Sequence, residues 1–571
     1  MKIFAKACIF VAIVMLLVSA ACAVDNVAFI IDSGLYNSSG VADKVLRYKA
    51  EVETQFPVNL IICNEAQFES YKPAQIRSYL IDLYNNRGIK GAVLCGQIAY
   101  ALWRNYAPGV DDKGINSFYY EDLDGTFTDT NADGYDDLHN WGAHVGPEIW
   151  VCWMRPPAND QVNQLKAFLD KTHKYYTGQI TFNHRALVAA HGDYDGNIRD
   201  GFRMVERLQP LYGSNIDIDG EGADIVVASE QVSMLNANRY EIYDPMGHAS
   251  STLQQWDSGY VYASTIKALT GGSIMTFIYG CHSAAFNESP SGNLAQAYCF
   301  GSSIGQAASG TSWNYGTEGK WYIYEELNRG SYLGKSWMNM EIIKNTPQYM
   351  KDRYGQTFDT DRHLWGDSLL GNPFVYSNYN PPSPSSLASI KSLPDGKSAL
   401  ITGVVTTANF GDCVYVEQPD RTCGIKVQVS NAIALNRQAK ISGVLATENG
   451  ERVIKYGEIT DLGAASPIKP FVMVGRDLKG RTGVSGTENL GLLVKIAGNV
   501  TASGTDWFML DDGSGLRDGL GKRGVKVICK GITPPTSGFY AVTGISTTES
   551  YGGRNYPVVR VRSSSDIKPY P

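Results

Sequence analysis

The 571-residue sequence lacks the spacings that bind structural metals, having no Cys-x-x-Cys and no His-x-His pair, and this excludes zinc ribbons and fingers. It also lacks long hydrophobic runs. Beyond the N-terminus no segment approaches the roughly 20 apolar residues that a spanning helix requires, so no transmembrane segment is expected. Cysteine is sparse: after Cys8 and Cys22 come only Cys63, Cys95, Cys152, Cys281, Cys299, Cys413, Cys423 and Cys529. That scatter excludes a disulfide scaffold and leaves packing to hold the core. Cys413 and Cys423, which flank a Pro-Asp-Arg-Thr turn, are expected to face each other across a hairpin. No run concentrates basic and aromatic residues, so no nucleic-acid partner is expected.

At the start, Lys2 and Lys6 precede an apolar run from Ala7 to Val18 and a small-residue exit, Ala21-Cys22-Ala23. Residues 1–23 read as a secretory signal peptide, which implies a secreted or cell-surface protein, periplasmic if it is retained in a diderm. Lipidation at Cys22 is the alternative, against which Ser19 stands where a lipobox carries an aliphatic residue. The net charge of −7 hides an asymmetry, because the segment after Asn380 holds about 22 basic against 16 acidic residues. Dispersed as it is, this charge reads as a solvated surface that also suits anionic surfaces.

From Val27 onward, buried-type strands (VAFIID, VNLIIC, IKGAVLCGQI) alternate with amphipathic helices, and the pattern resumes with HRALVAA, ADIVVASE, RYEIYD and SIMTFIYG. Continuous apolar strands separated by helices predict a parallel sheet covered on both faces. The predicted divisions are an N-terminal α/β subdomain over 24–180 and a catalytic subdomain over 181–377. A Pro/Ser linker follows at 378–386 (NYNPPSPSS). Beyond it the periodicity changes to short alternating strands in two loosely matching copies, 387–466 and 467–571. ALITGVVTTA answers LLVKIAGNVTA, and GIKVQV answers GVKVIC. About five strands with glycines at the bends predict an OB-like barrel in each copy, with a β-sandwich as the alternative.

Reactive groups in an open parallel sheet collect beyond the carboxyl ends of its strands. RYEIYD leads to Pro-Met-Gly-His248-Ala249, and SIMTFIY ends in Gly280-Cys281, so a thiol and an imidazole are predicted on one edge. A positioned thiol and a proton-transfer imidazole are what a cysteine peptidase requires. Taken alone, Cys281 reads rather as an inert buried thiol and His248 as a satisfied interior histidine. His282 is a rival base by adjacency, discounted because neighbouring side chains leave a strand end in divergent directions.

These segments together resemble the gingipain family of cysteine peptidases, within the larger caspase-like group. The likeness runs through LCGQI, DLDGTFTDTNADGYDDL, PEIWV, LAQAYCFGSSIGQAASGTSW and Gly366-Asp367, over about residues 25–376. It implies a caspase-like α/β fold, with Cys281 as nucleophile and His248 as general acid and base. It further implies an oxyanion hole from the backbone N–H groups of Ala249 and Cys281. The family carries His-Gly where this chain has His248-Ala249, and Gly-Arg where it has Cys152-Trp153. Asp193, in His191-Gly192-Asp193, stands where a carboxylate orients the imidazole, although it reads also as a loop acid or helix cap. Trp313 is placed to wall the pocket for the residue before the scissile bond, with a core or surface aromatic as the alternative.

In Asp129-Thr-Asn131-Ala-Asp133-Gly134-Tyr135-Asp136-Asp137, oxygen ligands alternate around a sixth-position glycine, as in a calcium loop. The predicted ligands of a structural Ca²⁺ are Asp129, Asn131, Asp133, Tyr135 and Asp137. The twelfth position is Asn140, so Glu148 is expected to complete the site; a solvated acidic turn is the alternative. The combined reading is a secreted cysteine endopeptidase acting on protein or peptide substrates, with β-modules that contact a cell surface or polysaccharide. Its rivals are a catalytically inactive surface-binding protein of the same fold and a sortase-like transpeptidase using the same dyad.

Overall fold

The structure is a computed structural model, and it describes residues 24–105, 112–200, 202–222, 224–301, 303–314, 316–317, 319–344, 365–377, 386–395, 398–429, 433–478 and 489–570. The expected signal peptide and all of the Pro/Ser linker except Ser386 lie outside the described residues. Two compact units emerge: Met1–Ala42, Gln55–Phe168 and Phe182–Tyr379 form one, and Asp43–Thr54, Leu169–Thr181 and Asn380–Pro571 the other. No helix among the described residues is long and apolar enough to cross a membrane.

The first unit is built on ten strands: β1 (Asp25–Ile31), β2 (Val58–Cys63), β3 (Ile89–Cys95), β4 (Trp150–Met154), β5 (Ala186–Ala190), β6 (Ile216–Asp219), β7 (Arg239–Met246), β8 (Gly272–Phe277), β9 (Ala307–Thr311) and β10 (Asp367–Gly371). They form one mixed α/β sheet in the order β6-β5-β7-β8-β9-β10-β4-β3-β1-β2. Every pairing is parallel except β9 with β10. The continuous apolar character of the strands follows from this, since parallel strands are covered on both faces; β5, β8 and β9 are buried along their whole length. The halves on either side of residue 180 share this sheet, joined where β10 lies beside β4 with Leu370 opposite Trp153.

One predicted strand is a helix. Within ADIVVASE, residues 224–227 are the approach to, and 228–230 the first turn of, the helix Ala228–Ala237, and the edge strand is the preceding IDID of β6. The β-branched run misleads because Val226 donates its N–H to Asp257 at 3.0 Å rather than to a neighbouring strand. The Cys152-Trp153 departure is absorbed by packing, for both are fully buried and the Trp153 indole donates to Ser117 Oγ at 2.9 Å.

In the second unit, β11 (Ser398–Asn409), β12 (Cys413–Glu417), β13 (Gly424–Val429), β14 (Arg437–Glu448) and β15 (Glu451–Ala464) close into a barrel ordered β11-β12-β13-β15-β14. Only β13 and β15 pair in parallel. The short helix Leu387–Lys391 adds Leu387 and Ile390 to the core beside Val414, Ile425 and Ile441. The second copy comprises β16 (Phe471–Val472), β17 (Leu493–Ser503), β18 (Trp507–Asp511), β19 (Val525–Ile528), β20 (Phe539–Tyr551), β21 (Arg554–Arg560) and β22 (Ile567–Pro569). It repeats that ring as β17-β18-β19-β21-β20, with β17 also paired to β20 and with β19 and β21 parallel.

A buried seam joins the barrels. Tyr415 and Cys413 pack with Leu493 and Ile545, and Glu417 accepts the N–H of Leu493 at 2.6 Å. Burial pushes the Glu417 carboxyl up to about 7. The expected Cys413–Cys423 pairing fails, because the hairpin sets Cys413 opposite Gln428. Cys423 instead lies in the core of the first barrel, and no disulfide joins it to Cys413.

Candidate active site

Strands β6-β5-β7-β8-β9 repeat the order of β2-β1-β3-β4, each half stepping first to one side of its opening strand and then to the other. The chain of the second half reverses direction across the sheet between β5 and β7, and a crevice forms beyond the carboxyl ends of strands at such a point. His191, Asp193 and Tyr194 follow β5 there. His248 follows β7, and Cys281 follows β8. The strands are parallel, so all three loops leave on one edge, as predicted.

Main-chain bonds carry the pairing beyond the strands. Tyr279 donates its N–H to Pro245 at 2.9 Å, Gly247 donates to Tyr279 at 3.0 Å, and Ile278 donates to Ser309 at 3.0 Å. At Gly280 a side chain is not tolerated: a Cβ would stand 2.8 Å from both the Ala249 Cβ and the Gly247 carbonyl oxygen, and 3.7 Å from the Ala249 nitrogen. The missing side chain thus brings the His248 loop against Cys281, with the Ala249 amide facing the same space. Ala249 is in extended backbone within the short strand His248–Ala249, so its β-carbon costs no strain.

Strand β9 has small side chains, Ala-Ala-Ser-Gly-Thr, for a related reason. A Cβ on Gly310 would lie 2.3 Å from Ser283 Oγ, and the Ala284 N–H reaches the Thr311 carbonyl at 2.8 Å. The turn carrying Cys281 therefore seats directly on the strand.

His248 is held on both ring nitrogens. Nε2 lies 2.9 Å from Asp193 Oδ2 and Nδ1 lies 3.3 Å from the Tyr194 hydroxyl. A carboxylate only accepts, so Nε2 carries the proton and Nδ1 is the basic nitrogen. The His248 hydrogen bond holds the Asp193 carboxyl below its ordinary range. Cys281 is partly exposed, and burial raises its thiol, so it rests protonated. Burial first, then Cys281 and Asp193, raise the Tyr194 phenol. Among the hydrogen bonds of the described residues none joins Cys281 to His248; Tyr194 touches the imidazole and senses the thiol.

Sequence reasoning passed over Tyr194, and its position four residues past the expected strand end, beside Asp193, was the available signal. Tyr194→Phe keeps the ring against Tyr279, 5.5 Å away between centroids. A neutral hydrogen bond contributes about 1 kcal/mol, so turnover is expected to fall by less than about tenfold. A loss beyond about a hundredfold in kcat would place the hydroxyl on the proton route.

His282 is excluded as the base by its own bonds. With φ at +53°, it directs Nδ1 to Glu288 at 2.7 Å and Nε2 to Asn314 at 2.8 Å. Trp313 is buried with Trp103, Phe118 and Trp365, at 5.4 Å from the Trp103 ring. It meets the site through its carbonyl, which accepts the N–H of His282 at 2.8 Å. Its indole supports the loop from the core side.

In the acidic loop, Asp129 Oδ2 accepts the Gly134 N–H at 2.7 Å, Asn131 Oδ1 accepts the Asp133 N–H at 3.0 Å, and Asp133 Oδ1 accepts the Tyr135 N–H at 3.2 Å. These bonds fold the loop back on itself. Arg104, however, donates to Asp133 Oδ2 at 3.2 Å, and Asp137 turns to the Thr130 hydroxyl at 2.7 Å. Glu148 does not join them; it accepts the Leu123 N–H at 2.6 Å and groups with Asp124 and His144.

No protein-family model matches this chain, and no curated protein does. Among solved structures it is similar to the crystal structure of the Arg-specific cysteine proteinase gingipain R, at 13% identity over 77% of this chain and 98% of that one, with a TM-score of 0.45. It is similar to a structure described as "Structure of Protease", at 13% identity over 78% and 98%, with a TM-score of 0.47. A complex of Porphyromonas gingivalis RgpB pro- and mature domains is matched at 14% identity over 76% and 99%, with a TM-score of 0.44. At such identities the functional reading rests on this chain's own residues.

Proposed function

We propose that the protein is a secreted cysteine endopeptidase with a caspase-like core. Cys281 is the nucleophile, His248 the proton-transfer group and Asp193 the carboxylate that orients it. The observation that carries this reading is the convergence of the His191–Tyr194, His248 and Cys281 loops on one sheet edge, with Nε2 of His248 held by Asp193. A protonated thiol must lose its proton as it attacks the carbonyl, and Nδ1 of His248, the unprotonated nitrogen beside the Tyr194 hydroxyl, is the base for that step. The same imidazolium then protonates the leaving amine, giving an acyl-enzyme that water resolves. The Ala249 and Cys281 amides are assigned to the developing oxyanion, where one donor is worth roughly 10²–10³ in rate.

Labelling of the intact protein with a thiol-reactive peptidyl probe, followed by peptide mapping, tests the assignment. Modification is expected at Cys281 alone. An unreactive Cys281 would return the protein to the reading of a non-catalytic surface binder.

The β-modules are read as OB-like from the strand order of their five-stranded rings, and as attachment modules for surface or polysaccharide rather than catalytic parts. Calcium is assigned to Asp129, Asn131, Asp133, the Tyr135 carbonyl and Asp137, where it would screen the repulsion among these carboxylates. Because ligand binding to the native state stabilises by RT ln(1 + [L]/Kd), the melting temperature should rise with added Ca²⁺ and fall with EDTA. A melting curve insensitive to both would leave the loop an acidic turn.

A further inference from the structure

The groups that hold His248 have a second chemistry. His191, Asp193 and His248 each offer a ligand atom, and all three atoms lie within 4.8 Å of one another. Asp193 Oδ2 is 2.9 Å from His248 Nε2 and 3.6 Å from His191 Nδ1. Ligand atoms about 2.0–2.1 Å from a tetrahedral zinc stand about 3.3 Å apart, so these separations need little adjustment. His191 has its other nitrogen, Nε2, 3.5 Å from Asp257 Oδ1. That carboxylate is itself held by the N–H groups of Gly192 at 2.9 Å and Val226 at 3.0 Å. A carboxylate behind a ligating histidine is the arrangement that orients imidazoles on metals. The peptidase reading uses neither His191 nor Asp257.

We propose that His191, Asp193 and His248 form an inhibitory site for a borderline divalent cation of the Zn²⁺ type, with Asp257 positioning His191 and water in the fourth coordination place. The inhibitory part rests on the peptidase reading; the binding part does not. On binding, the metal takes the lone pair of His191 Nδ1, which now accepts the Asp193 N–H at 3.1 Å, and that of His248 Nε2, whose proton moves to Nδ1 as the ring changes tautomer, so Nδ1 is no longer a base. His248 is then tied down by the metal at Nε2, and Asp193 no longer serves as its hydrogen-bond partner. Proton transfer from Cys281 stops while the thiol is untouched. Two imidazoles and a carboxylate favour zinc over calcium or magnesium, which prefer oxygen.

The test is an equilibrium titration of Zn²⁺ against a chromogenic indicator, using the full chain carrying Cys281→Ala and His144→Ala. These changes remove thiol binding and the separate Asp124, His144 and Glu148 group. One equivalent is expected to bind, and His191→Ala or His248→Ala should each weaken it by at least about tenfold. Asp257→Asn, which leaves all three ligands in place, should weaken it by about 10–100-fold. Affinity unchanged by His191→Ala in a protein with native circular dichroism overturns the site. In the protein with Cys281 intact and His144→Ala, zinc should block probe labelling and EDTA should restore it. Zinc binding that depends on His191 in a protein whose Cys281 never reacts keeps the metal site and removes the peptidase reading. Reactivity at Cys281 with zinc affinity indifferent to His191 removes the metal site alone.

Discussion

Cys281→Ala is expected to abolish cleavage of a mixed peptide library, a loss of about 10⁶-fold of the order that follows removal of a covalent nucleophile. His248→Ala should fail comparably, and the double variant should be little worse than either, because the two groups act as one unit. Circular dichroism and the melting temperature should remain those of the parent, since Cys281 is partly exposed and its loop is fixed by main-chain bonds around Gly280 and Ser283 rather than by the thiol. Mass-spectrometric detection of cleaved peptides is the measurement. Cleavage by the Cys281→Ala protein at more than a hundredth of the parental rate would eliminate Cys281 as nucleophile.

The second large effect is on stability. Lys320 and Asp244 form an ion pair with both side chains fully buried, and the Tyr324 hydroxyl donates to Asp244 at 2.6 Å. The Lys320 ammonium also donates to the Phe277 carbonyl at 3.2 Å, so it ties the end of β8 to the end of β7. Burial pulls the Lys320 ammonium below its ordinary range, and Asp244 opposes that pull. Removing one partner leaves a buried charge without compensation, which costs about 3–5 kcal/mol. Lys320→Met is therefore expected to lower the urea midpoint strongly and to reduce turnover as well, because His248 lies four residues past Asp244. Lys320→Met with Asp244→Asn should recover most of the stability, since both charges are then gone. If Lys320→Met alone left the midpoint unchanged, the pair would have no part in holding the two strand ends.

The legible part of this protein was the part written in short-range patterns. SIMTFIY is a continuous apolar run and RYEIYD a strand-like one, neither has helical spacing, and each leads to a glycine directly before Cys281 or His248. That sufficed to place both on the carboxyl edge of a parallel sheet. The two β-modules were equally readable from alternation and from the repeat of ALITGVVTTA in LLVKIAGNVTA. ADIVVASE misled because its Val226 is buried in a loop while the actual edge strand, Ile216–Asp219, alternates with acids that propensity disfavours. Cys413 and Cys423 misled because hairpin register, set by strand pairing along the whole of β12 and β13, is invisible in their spacing.

Sequence alone determined the chemistry available to this protein: one thiol and one imidazole after strand-like runs, and an acidic loop whose oxygens alternate. These are local properties of neighbouring residues. Only the tertiary structure decided which groups meet, because the strand order β6-β5-β7-β8 sets Asp193 beside a histidine 55 positions away and turns His282, next to the nucleophile, toward Glu288 and Asn314 instead. It alone put Tyr194 on His248, Asp257 behind His191 and Lys320 under Asp244. Side chains remote in sequence come together through sheet register and close packing, and no sequence window contains that information.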